Sequence, residues 1–264
     1  MGKRKDNPVE NADLLREIHL SKLTFCDVFD NDCQDYDLIL EEKGMMFDDE
    51  NIEKARENRA KRLDCPIGKV RFYDLVFRIM TYEHIPVRKT PKKVIKSLAD
   101  KHVYLNFKPF KHYVIENTHK REIREVLRSH SNKLTYSKTH GRLTEKLGEM
   151  YYLMVESYAT LPNWSGYTYI EEMKNDAIVQ LITMGLKFDE SSGANPHSYM
   201  TTTMYRSFLN TLAREKKIAS AKETMLQSYM NYDITFNQQA QADIDRYENR
   251  MAGDGEDFTD DDEV

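Results

Sequence analysis

"FDESSGANPHSYMTTTMYRSF", residues 188–208, joins two helix-like patterns. An Asp/Ser/Gly/Asn/Pro turn leads into a tyrosine, three consecutive threonines, a second tyrosine and an arginine. Asn195 suits an N-cap and Pro196 the first helical position. Threonine loses rotamer freedom in a helix, so the triplet runs against local propensity and calls for a reason at the surface. On a helical wheel Met200, Thr201, Met204, Tyr205, Phe208 and Leu212 make a buried stripe. The opposite stripe is Tyr199, Thr202, Thr203, Arg206, Asn210, Ala213 and Lys217, with Arg214 on its margin. Cations there can neutralise phosphates, hydroxyls and amides can bond phosphate or base edges, and a tyrosine ring can stack an unstacked base. An ordinary solvated face is the plain alternative.

The preceding stretch, "YTYIEEMKNDAIVQLITMGLKF", places Ile170, Met173, Ala177, Ile178, Leu181, Met184 and Phe188 on one side, a core stripe. The other side carries Glu172, Asp176, Val179, Gln180 and Thr183, a mixed face suited to solvent or to a basic partner helix.

Composition is consistent with this surface-rich helical character. The 264 residues are 40% hydrophobic and 31% charged, with a mean hydropathy of −0.72. No apolar run approaches the roughly 18–20 residues that span a bilayer, and "MGKRKDNPVE" has no apolar core of a secretory signal. Cys26, Cys33 and Cys65 make no paired motif; they read as free thiols of a reducing cytosol, and with His84 they fit no zinc spacing. Charge is segregated. Residues 1–53 hold 6 Lys/Arg against 15 Asp/Glu, residues 87–146 hold 16 against 5, and residues 243–264 hold 2 against 10. A basic middle between acidic ends points to nucleic acid.

Along the rest of the chain, residues 9–25 read as a helix with Asn11 as its cap, 51–63 as a charged exposed helix and 143–161 as an apolar helix. "KVRFYDLVFRIMTYEHIP" (69–86) reads as a buried helix ended by Pro86. Thr90 and Pro91 suggest a helix start over 90–100, and 103–130 reads as an aromatic segment followed by a basic helix. No hairpin is evident. Residues 218–250 are polar and loosely helical, and the tail "GDGEDFTDDDEV" has a disordered composition. The expected class is mainly α.

The segment 163–217 resembles region 2 of bacterial sigma factors, and is especially similar to the late-transcription sigma factors of T-even-like tailed phages. The features that carry the likeness are the turn Trp164-Ser165-Gly166-Tyr167 and the Glu172-Met173 pair. Phe188-Asp189-Glu190, Asn195-Pro196-His197 with Tyr199, and Arg214-Glu215-Lys216-Lys217 follow in order. "ENADLLREI" resembles the opening helix of that family. The resemblance covers 9–25 and about 140–220.

It implies a domain plan. Residues 1–25 are a helix joining the sigma core, 26–139 a helical insertion that is acidic then basic, 140–220 the region 2-like domain, and 221–264 a polar helix and disordered acidic tail. It implies a non-enzymatic, cofactor-free factor in the cytoplasm of an infected bacterium. Glu172, Asp176, Val179, Gln180 and Thr183 would dock on the clamp helices of the RNA polymerase β′ subunit. Tyr199, Thr202, Thr203, Arg206, Asn210, Arg214 and Lys217 would meet a −10-like promoter element and its flipped bases. Thr202 and Thr203 stand where primary sigma factors carry a tryptophan pair, which puts wedge-like strand opening in doubt. The family ends in a hydrophobic-acidic peptide that binds the DNA sliding clamp; this chain departs from it, ending acidic with only Phe258 as an apolar anchor, so a sliding clamp or a phage coactivator is left open as a further partner. The basic half of the insertion, 87–138, with Phe107, Phe110 and Tyr113 among its cations, is expected at upstream DNA or as a structural insert. Two other classes stand beside this: a polymerase-binding regulator that never touches the promoter, and a nucleic-acid enzyme built on Asp27, Asp30, Asp32, Asp35 and Asp37.

Overall fold

The computed structural model describes residues 9–90, 95–118 and 120–253, with side chains as far as Arg246. The chain forms two units, Met1–Phe208 and Leu209–Val264.

Helix occupies most of the described residues. The first unit holds α1 (Asn11–Leu23), α2 (Asp49–Arg62), a one-turn α3 (Leu98–Lys101), α4 (Glu145–Ala159), α5 (Ile170–Met184) and the start of α6 (Pro196–Gly253). Helix α4 buries Leu147, Met150, Tyr151, Met154 and Val155, and α5 buries Met173, Ala177 and Leu181, as their periodicity predicts. Ile170, Ile178 and Met184 are half-buried at the edges of that stripe. Gly185, just past α5, is needed for close approach, since a Cβ there would run into the Tyr151 hydroxyl. Asn195 caps α6 by accepting the Ser198 N–H at 3.1 Å. Asn11 does not cap its own helix; its side-chain Oδ1 accepts the His197 N–H at 3.3 Å, so it too serves the start of α6.

The insertion expected to be helical keeps α2 and α3 but is built on a sheet. Strands β1 (Cys26–Val28), β2 (Leu38–Leu40), β3 (Val76–Met80), β4 (Phe110–Asn117) and β5 (Glu122–Ser129) lie in the order β1-β5-β4-β3-β2. All pairs are antiparallel except β2 with β3. The buried helix read over 69–86 is a 3-10 turn (Phe72–Asp74) and β3, and the basic helix read within 103–130 is the β4–β5 hairpin. Strand β3 is covered on both faces, so its residues are buried without alternation, apolar except for Arg78, a pattern that periodicity does not separate from a buried helix. Phe77 and Ile79 face a core with Leu40, Met46, Ala55, Leu75, Tyr113 and Ile115, while Val76 packs with Val114 and Val126 on the other side. The hairpin carries no Asn-Gly signal; its connection places Arg121 at φ 53°.

A small hairpin of β6 (Ser131–Asn132) and β7 (Thr135–Tyr136) has the same property. Its two loop residues, Lys133 and Leu134, have φ of 50° and 65°. The Asp27 carboxylate compensates by accepting both of their N–H groups, at 2.8 and 2.7 Å. The helix expected over 90–100 is present only as α3, which starts after Ser97; Pro91–Val94 lie outside the described residues. In the second unit α6 continues to Gly253 and is exposed from Lys216 to Arg246. The acidic tail and Phe258 lie outside the described residues.

Candidate nucleic-acid and protein interface

Helix α6 is held at its start by the turn before it, and that turn is anchored by buried charge. Glu190 sits in a 3-10 turn (Glu190–Ser192), with its side chain 3% exposed. It pairs with the Arg78 guanidinium and with Lys22 Nζ at 3.0 Å, and accepts the Tyr36 hydroxyl at 3.1 Å. Arg78 comes from the middle of β3 and is 1% exposed. Its guanidinium lies between the rings of Tyr36 and Phe110, 3.9 Å from each centroid. It also donates to His112 Nε2 at 3.0 Å and to His19 Nδ1 at 2.7 Å. An arginine has only donors, so the facing nitrogen of each imidazole carries a lone pair and both rings are neutral. His112 then donates from Nδ1 to the Cys33 carbonyl at 3.2 Å, and His19 Nε2 faces Asp35 at 3.4 Å.

Burial lowers the pKa of His19, and pushes that of His112 well below its usual value, with the Arg78 charge adding to both. Burial raises the Glu190 carboxyl, but the charges of Arg78 and Lys22 outweigh it and hold the group at about 2. This hub ties α1, the sheet and the turn before α6 into one body, and none of its residues is legible as a site from sequence. The only trace is the charge itself: Lys22 and Arg78 sit in otherwise apolar stretches.

Downstream of the turn, Met200, Met204, Ser207 and Phe208 are buried and Tyr205 is not. Tyr205, expected inside, is 47% exposed. The buried face is rotated toward Ser207 because Phe208 packs on Trp164, with ring centroids 5.2 Å apart. Leu212, expected in that stripe, is half-buried.

The threonine triplet is satisfied locally. Thr201, Thr202 and Thr203 each donate a hydroxyl to the carbonyl four residues back, at 2.9 Å. Such back-bonding meets the hydroxyl's need for an acceptor within the helix and leaves its lone pairs for any outside donor. Tyr199 is half-buried, its ring edge-on to Phe188 at 5.5 Å and its hydroxyl donating to the Met184 carbonyl at 3.1 Å. Arg206 and Thr202 are exposed. Asn210, Arg214 and Lys217 are exposed in the second unit, with Arg214 3.8 Å from Glu215.

On α5, Glu172, Val179, Gln180 and Thr183 are exposed and Asp176 is half-buried. Val179 is 63% exposed, and Ile182 beside it is also open. An aliphatic pair on an acidic helix face is suited to a partner surface with both apolar and basic groups.

The aspartates of 27–37 do not converge. Asp27 braces the β6–β7 turn, Asp30 pairs with Arg124, and Asp35 faces His19. Asp37 is buried and bonds Arg59, Arg62 and the Val76 N–H. In the basic stretch, Phe107, Phe110 and Tyr113 are buried and cannot stack bases, whereas Tyr104, not singled out in the sequence, is 57% exposed.

No described helix is long and apolar enough to cross a membrane. No protein-family model, curated protein or solved structure matches the chain.

Proposed function

We propose that this chain is a phage-type sigma factor, binding bacterial core RNA polymerase through α5 and presenting α6 to a −10-like element of late promoters. The observation that carries the reading is the pairing of an exposed acidic-aliphatic face on α5 with an exposed Thr202–Arg206 edge on α6. A buried ion cluster in the turn between them holds α6 at its start. The site of action would be the cytoplasm of an infected bacterium.

Within this reading Arg206 supplies the charge for phosphate or base edge, and Tyr199 and Tyr205 supply aromatic surface. Asn210, Arg214 and Lys217 are assigned phosphate contacts of the second unit by itself. Thr202 and Thr203 take the place of a tryptophan wedge with hydroxyls already bonded to their own helix. Strand opening is then assigned to capture of unstacked bases at sequences that melt easily.

The test is transcription in vitro by core polymerase with and without the protein, on phage DNA carrying A·T-rich late promoters. New discrete starts that are lost in Arg206→Ala and in Tyr199→Ala are the expected result; Tyr199→Phe, which removes only the bond to Met184, should retain them. No polymerase binding would overturn the reading. A second reading, a polymerase-binding regulator that leaves promoter DNA alone, draws support from the closed threonine hydroxyls. It predicts that Glu172→Ala and Gln180→Ala abolish association while Arg206→Ala has no effect on transcription.

A further inference from the structure

Tyr82, Arg88, residues of the stretch Ala99–Lys108 and the turn after α5 line a cleft of about 450 Å³ in the first unit, remote in sequence from the α6 row. Its lining includes Arg88, Tyr104, Lys108 and Lys187, together with Asp100 and Asp189. Tyr104 projects into solvent at its rim and is 57% exposed. Lys187 Nζ lies 4.9 Å from the ring centroid and touches the hydroxyl, and Lys138 Nζ lies 5.7 Å from the centroid.

The two carboxylates are engaged by their own turns. Asp100 accepts the N–H groups of Lys96 and Ser97, at 3.2 and 3.1 Å, and the Ser97 hydroxyl. Asp189 accepts the N–H of Ser191 at 3.0 Å and its hydroxyl, and meets Lys108 at 3.4 Å. The cleft therefore offers an exposed aromatic face with several cations around it, and acidic groups turned toward backbone donors. Lysine over an exposed ring is a weak contact, weaker than a base stacked on that ring. A base would displace one ammonium from the ring, and the displaced lysine, on its flexible stem, would be left beside the phosphate.

We propose that this cleft binds a nucleotide unit, with the base stacked on Tyr104 and the phosphate held by Lys108 and Lys187. The proposal does not depend on the sigma reading of α5 and α6. Its test uses no polymerase, so the two can fail separately.

The experiment is fluorescence anisotropy of the full chain with a short labelled oligothymidylate in low salt, with a mononucleotide as competitor. Tyr104→Ala is expected to weaken binding by about 5- to 150-fold, the range of one base–aromatic stack, and Tyr104→Phe to retain it. Lys187→Gln should lower the slope of log affinity against log salt by about 0.7, as the loss of one single-strand phosphate contact does. Competition by the mononucleotide would assign the cleft to a free nucleotide, and its absence with Tyr104-dependent oligonucleotide binding would assign it to a strand. Unchanged circular dichroism shows that the variants fold. No binding by the wild-type chain, or equal binding by Tyr104→Ala, overturns the proposal.

Discussion

Two clusters in the first unit set cations against aromatic rings, and they have opposite consequences. Around Arg78 the guanidinium lies 3.9 Å from two rings, is 1% exposed, and meets Glu190, His19 and His112. Around Tyr104 two lysines approach a ring that is open to water. A charge taken out of water must be answered completely or the fold does not tolerate it, so the Arg78 cluster is committed to holding elements together. A charge left in water contributes little to stability, so the Tyr104 cluster can exchange partners. The same residue types serve architecture in one place and recognition in the other, and burial makes the difference.

The largest expected effect breaks the buried side of that comparison. Glu190→Ala leaves Arg78 and Lys22 without their shared counter-charge, and should lower stability by about 3–5 kcal/mol in urea denaturation. Tyr104→Ala should shift the same midpoint by no more than about 0.5 kcal/mol. Equal effects at the two positions would show that the Arg78 hub is not the structural centre assigned to it.

Acid should loosen the same hub. His19 and His112 have pKa values below the ordinary 6.5 when folded, and burial likewise lowers His84 to about 4 and His130 to about 3. Below 6.5 the unfolded chain takes up protons that these folded imidazoles refuse, so their contribution is complete above 6.5 and shrinks as pH falls. The slope is up to about 1.4 kcal/mol per pH unit for each imidazole. Glu190, lowered from 4.5 to about 2, adds a second loss of the same sign at lower pH, complete above 4.5 and lost as pH falls from there toward 2. Urea midpoints should therefore hold from pH 7.5 to about 6.5 and fall from there to pH 5; a profile flat down to pH 5 would mean that these rings are protonated in the folded state.

The smallest expected effect concerns α6. Thr202 is exposed and its hydroxyl bonds its own helix, so Thr202→Ala should raise stability by roughly 0.5 kcal/mol through helix propensity alone. A loss of stability instead would show that the hydroxyl has a role beyond the Ser198 carbonyl.

The helices were legible because each carries the marks of one in its own residues. The 3.6-residue stripes of α4 and α5, and the Asn195–Pro196 start of α6, need no distant partner to be recognised. The sheet was not legible for the converse reason. Strand β3 is buried on both faces, β4 buries Lys111 and His112 among its apolar residues, and the hairpin turns use Arg121, Lys133 and Leu134 at positive φ where glycine or asparagine is the usual signal. Lys111 is tolerated inside because it reaches Glu125 at 3.0 Å, a partner that only strand pairing brings near. Of the candidate interface, the exposed α5 face and Arg206 followed from the helical wheel. The outward turn of Tyr205 did not, because it depends on Phe208 packing against Trp164.

The sequence by itself determined which segments are strongly amphipathic, where α6 begins, and that positive charge gathers in the middle of the chain. Tertiary structure alone decided that this middle is a sheet, that Arg78 and Glu190 meet 112 residues apart, and that Tyr104 rather than Phe107, Phe110 or Tyr113 reaches solvent. Local pattern records how one element divides its residues between inside and outside. It does not record which element supplies the inside, and for a buried charge or an exposed ring that partner determines the role.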